Sequence, residues 1–139
     1  MTAPLTIAEL QRKLDVSPFG KFLGLRVTAA DPDRQQVVMA LSMRPELERS
    51  PGSGQYHGGV IASVIDIAGD FALILSIGAG VPTINIRVDY LRPAHDTGLA
   101  ATATVRRAGR TIGVVVVDVR DDTGRLVAVG RGCYGMQAG

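Results

Sequence analysis

The chain has 139 residues, 46% of them hydrophobic and 20% charged, the size and make-up of one globular domain with a real apolar core. A formal net charge of only +2 argues against nucleic acid or an anionic membrane as the main electrostatic partner. A single cysteine, Cys133, excludes an internal disulfide and fits a reducing compartment, so a cytoplasmic location is expected.

The N-terminus, MTAPLTIAELQRKLD, lacks a long apolar run and carries Glu9 and Asp15, unlike a signal or transit peptide. Thr6 and Glu9 form a capping-box pattern, and Ile7, Leu10 and Leu14 recur at helical spacing. Ser17-Pro18 opens a further helical turn before Phe19 and Phe22, giving a helical segment at about 5–22. Residues 23–30 read as a strand, DPDR as a turn and VVMALSMR as the returning strand.

A Pro-, Gly- and Ser-rich loop at 45–57 leads into a long apolar helix that GAGVP closes. Val60 to Val81 has nearly transmembrane length. However, each Asp at mid-bilayer costs roughly 2.5–3.5 kcal/mol, and Asp66, Asp70 and three glycines interrupt the run. It reads as a buried helix, with no membrane partner. Four strands follow, at 83–92, 99–107, 111–121 and 125–134. The short AG and DTG connections make the last three an antiparallel meander. A lone helix that is apolar nearly all round needs a sheet curled about it. Val114 to Val117 lack alternation, which predicts cover on both faces of that strand, the second from another subunit. The expectation is a single domain over 1–139.

Gly59, Ser63, Asp66 and Asp70 fall within roughly 60° of arc on the long helix. This narrow polar stripe either faces water or lines a cleft. The helix carries no Lys, Arg or Glu of the kind that marks a solvent face. His57-Gly58-Gly59 sits at its N-terminus, where free backbone N–H groups suit an oxyanion and Gly59 admits a ligand close to the backbone. Both features favour the cleft.

These residues, HGGVIASVID, followed by TINIRVDYLRPA, VRRAGRT and DTGRLVAVGRG, resemble the PaaI-like group of hotdog-fold acyl-CoA thioesterases over about residues 17 to 135. The resemblance implies an α+β hotdog fold, with a curved antiparallel sheet of about six strands around one long central helix. It implies a homo-oligomer, a dimer or a dimer of dimers, with sites between subunits. It also implies hydrolysis of acyl-CoA to free acid and CoA. Asp66 would be general base or nucleophile, the Gly58 N–H of the partner subunit would polarise the carbonyl, and Thr83 would position water. The pattern departs from many relatives at Pro51, where they carry Asn; Gln55, Ser53 or Tyr56 are the candidates to substitute.

Physical chemistry adds detail to these roles. Apolar walls from Ile65, Ile67 and Phe71 would raise the pKa of Asp66, and Asp70 at i+4 couples to it. His57 is expected to orient the loop rather than act as base. Arg92, Arg107 and Arg110, with Arg106 and Arg131, are candidates for the CoA phosphates. Phe71, Leu73 and Ile74 are either acyl wall or core. His57, His95 and Cys133 show no metal-ligand spacing, so no metal and no cofactor beyond substrate CoA is expected. The alternatives are a non-catalytic acyl-CoA-binding hotdog protein and a hotdog hydratase or dehydratase.

Overall fold

The computed structural model describes residues 3–137. Helix α1 (Ile7–Val16) starts where the capping box predicts: the Thr6 hydroxyl accepts from the Glu9 N–H, and the Glu9 side chain reaches back. Helix α2 (Pro18–Leu23) has Ser17 as N-cap and Pro18 in its first turn. It ends at Gly24, whose φ of 74° is left-handed and suits a residue without Cβ. The strand predicted from residue 23 therefore begins later, as β1 (Arg26–Asp31), paired with β2 (Gln36–Leu41).

Helix α3 (Gly58–Ile77) follows a loop with one short 3-10 turn, and then come β3 (Thr83–Tyr90), β4 (Leu99–Ala108), β5 (Ile112–Asp121) and β6 (Leu126–Gly135). All pairings are antiparallel, in the order β1-β2-β4-β5-β6-β3. The predicted meander of β4, β5 and β6 is present. Strand β3 does not join β2; it crosses to the far edge beside β6.

By length and composition α3 could cross a membrane, but it is the core helix. Ile61, Val64, Ile65, Ala68, Phe71, Ala72 and Leu75 are buried, and the curved sheet packs along it. Val115, Val117 and Val119 of β5 face it. Val114 and Val116, on the opposite face, are half-buried within the chain, so the chain itself seals one face of that strand. Edge strand β3 leaves Ile84 and Ile86 exposed.

Helix and sheet approach closely because β6 carries glycines. A Cβ on Gly130 would lie 2.5 Å from Ile65, and one on Gly132 would strike the Tyr134 ring. Tyr134 is 0% exposed and donates its hydroxyl to the Asp66 carbonyl at 2.9 Å. A Cβ on Gly69 would overlap that hydroxyl. Gly69→Ala gains about 1 kcal/mol of helix propensity. Against this stand about 1–3 kcal/mol for overpacking and a similar cost for the displaced hydroxyl. The expected net loss in urea unfolding is about 1–5 kcal/mol.

Candidate active site

The α3–β3 connection doubles back along the helix, so the start of β3 lies beside the polar stripe. A register shift between Thr83 and Asn85 sets Thr83 opposite Tyr134, whose ring faces α3. The Thr83 hydroxyl donates to Asp66 Oδ1 at 2.7 Å. One turn further, Asp70 Oδ1 accepts from the Val81 N–H at 3.3 Å. Burial is the main force pushing the Asp70 carboxyl up from 3.8 to about 6; the Val81 N–H opposes it and the Asp66 charge adds to it. Tyr134 is likewise raised, by burial first and then by Asp66 and Asp70.

The N-terminus of α3 forms the other half of the stripe. His57 is the N-cap, and its Nδ1 accepts from the Gly59 N–H at 2.9 Å. An Nδ1 engaged as acceptor orients the turn. The Gly58 N–H precedes the intrahelical ladder and donates to no group among the described residues. Tyr90, at the end of β3, donates to the Gly58 carbonyl at 2.6 Å. Ser63 of the stripe bonds back to its own helix, donating to the Gly59 carbonyl at 2.8 Å. A cleft of about 700 Å³ opens here, walled by His57, Gly58, Gly59, Gln55, Arg49 and Arg92.

The chain therefore brings together Asp66, Thr83 and Asp70 at one station, and His57, Gly58, Gly59 and Arg92 at another. Eight positions separate Gly58 from Asp66, a rise of about 12 Å. The two stations are thus well apart along one helix. Within one chain Arg107 and Arg110 join neither. Their hairpin lies at the C-terminal end of α3, where Gly113 meets Leu73, a ten-residue strand away from the Gly58 cleft. Arg106 is exposed near that hairpin, and exposed Arg131 sits in the row of Val116 on the outer face.

Among the candidates to replace the missing Asn, Tyr56 is buried with its hydroxyl on the Thr97 carbonyl at 2.7 Å, which leaves it no free donor for a ligand. Burial first, then the Asp122 charge, pushes that phenol up to about 12. The Ser53 hydroxyl accepts from the Gln55 N–H, so Gln55 is the carboxamide in the cleft. Leu73 is core, whereas Phe71 and Ile74 edge a groove of about 700 Å³ between α1 and α3. Sequence reasoning missed the anchoring roles of Tyr90 and Tyr134, which no short-range pattern encodes. It also missed Arg49, in the loop before the helix.

The thioesterase superfamily model matches residues 54–128, which span the glycine turn, α3 and most of the sheet. The chain belongs to the thioesterase superfamily. A Halobacterium salinarum protein that carries an esterase name is 36% identical over 91% of this chain and 89% of its own. The medium/long-chain acyl-CoA thioesterase YigI of Escherichia coli is 27% identical, covering 84% of each chain. A solved thioesterase-superfamily structure superposes with a TM-score of 0.88 at 36% identity, covering 94% of this chain and 98% of that one. The likeness to PaaI-like hotdog thioesterases and the six-stranded sheet around one helix are thereby borne out.

Proposed function

We propose that the protein hydrolyses acyl-CoA thioesters to the free acid and CoA, with Asp66 as general base. The observation that carries this reading is the Asp66–Thr83 pair at the open edge of an otherwise apolar helix. Thr83 fixes Oδ1, and Oδ2 takes no hydrogen bond among the described residues, so it is free to receive a proton. Water attacks the thioester carbon and gives its proton to Asp66. The C–S electron pair then leaves with sulfur, which regains a proton. The oxyanion is held by a Gly58 N–H, at the positive end of α3.

Because about 12 Å of helix separates the two groups, the Gly58 N–H acting with one Asp66 belongs to a second copy of the chain. We therefore assign a homo-oligomer, with a dimer as its smallest working unit. Arg92 and Arg49 flank the Gly58 cleft and suit CoA phosphates. A cytoplasmic site accords with this substrate and with the free thiol of Cys133.

A thiol-release assay with short aliphatic, long aliphatic and aryl CoA esters tests the proposal. Release from at least one class is expected. Tight binding of esters without release would replace the enzyme by an acyl-CoA-binding protein.

A further inference from the structure

We propose that Asp70 is a positioning residue: it fastens the entry to β3 so that the Thr83 hydroxyl stays on Asp66. The effect on turnover rests on the thioesterase reading; the fastening itself does not.

The link from α3 to β3 has few anchors. Gly78 is a left-handed cap, and exposed Gly80 has no atom within 4 Å of where a Cβ would sit. Val81 inserts its side chain at 5% exposure, and the Pro82 carbonyl accepts from the Gly135 N–H at 2.8 Å. The remaining ties go to the helix. Asp70 takes the main chain at Val81, and Asp66 takes the hydroxyl at Thr83. Two carboxylates one turn apart thus grip both ends of a three-residue segment.

A neutral hydroxyl or carboxamide would accept the Val81 N–H without the cost of burying a charge. The carboxylate at Asp70 is kept against that cost, as its raised pKa records. Charge at this place strengthens the acceptor for Val81. That effect is present above about pH 6 and fades as Asp70 takes up a proton. The other charged or titratable groups around it are Glu9, Arg12 and Lys13 of α1, which share its groove, Asp66 on α3, and Tyr134 on β6.

Two measurements on the full chain test the inference. The first is the backbone amide spectrum followed from about pH 4 to 8. The Val81 amide shift is expected to titrate with a midpoint near 6 in the parent chain, and not to do so in Asp70→Asn. A flat Val81 shift, or an unchanged titration in Asp70→Asn, overturns the proposal. The second is a double-mutant cycle on kcat. Asp70→Ala is expected to lower kcat about 10- to 100-fold with KM nearly constant, but less than about twofold when added to Thr83→Val. Equal losses in both backgrounds overturn it. Should Asp70→Ala fail to fold, the isosteric Asp70→Asn carries the test through the rise of kcat between about pH 5 and 7, which it should flatten. A chain whose Val81 amide titrates but which releases thiol from no ester keeps the fastening and loses the thioesterase reading.

Discussion

Asp66→Asn is expected to lower the rate of thioester hydrolysis by about 10²–10⁴ while leaving the fold in place. The change removes the proton acceptor and little else. A carboxamide oxygen still receives the Thr83 hydroxyl now bonded to Oδ1, and the Tyr134 hydroxyl is held by the backbone carbonyl, which the substitution does not touch. The residual rate comes from the Gly58 N–H and from holding the ester in place. Thermal melts of both proteins, beside thiol release across the ester panel, separate lost chemistry from lost structure. Parent-level turnover by the folded variant removes Asp66 from the mechanism.

The second large effect is expected from Gly58→Pro, about 10²–10³ in kcat. Gly58 is the first residue of α3, the one helical position where proline is welcome, because the N–H it lacks has no intrahelical partner. His57 already has φ −63° and ψ 136°, the extended geometry that a residue before proline requires. The substitution thus deletes one N–H at the proposed oxyanion site, with the Tyr90 hydroxyl, 3.3 Å from where a Cβ would sit, shifting slightly. Mixing it with Asp66→Asn gives the sharper reading. If one copy supplies Asp66 and the other Gly58, mixed dimers regain one intact site of two, and a random mixture recovers about a quarter of parent activity. No recovery after subunit exchange would mean that the two groups do not act across a dimer.

Local chemistry made much of this visible beforehand. Thr6 and Glu9, Ser17 with Pro18, and His57 before two glycines are short-range signals, and each marks a helix start that the structure contains. The stripe on α3 followed from the 3.6-residue period alone. What stayed hidden depends on tertiary placement. Nothing near Thr83 says that β3 crosses to the edge beyond β6, and only that crossing sets its hydroxyl on Asp66. Arg107 and Arg110 read as phosphate ligands because they are clustered and basic; within one chain, strand direction sets their hairpin at the other end of the sheet from the Gly58 cleft. Gly24 falls within a strand-like stretch of sequence, although a glycine after an apolar turn also fits a helix cap, which is its role.

Helix α3 also serves as a ruler. One rigid rod carries the glycine turn at its tip and the carboxylate eight residues along, so spacing and direction are locked together. A single inserted residue between them would swing Asp66 by about 100° off its row and into the core. Inserting a whole turn would restore the direction but lengthen the gap by about 5 Å. The tip of the preceding loop, exposed at Ser50, Pro51 and Gly52, follows no such period. Length variation is therefore far better tolerated at that exposed tip than between His57 and Asp66.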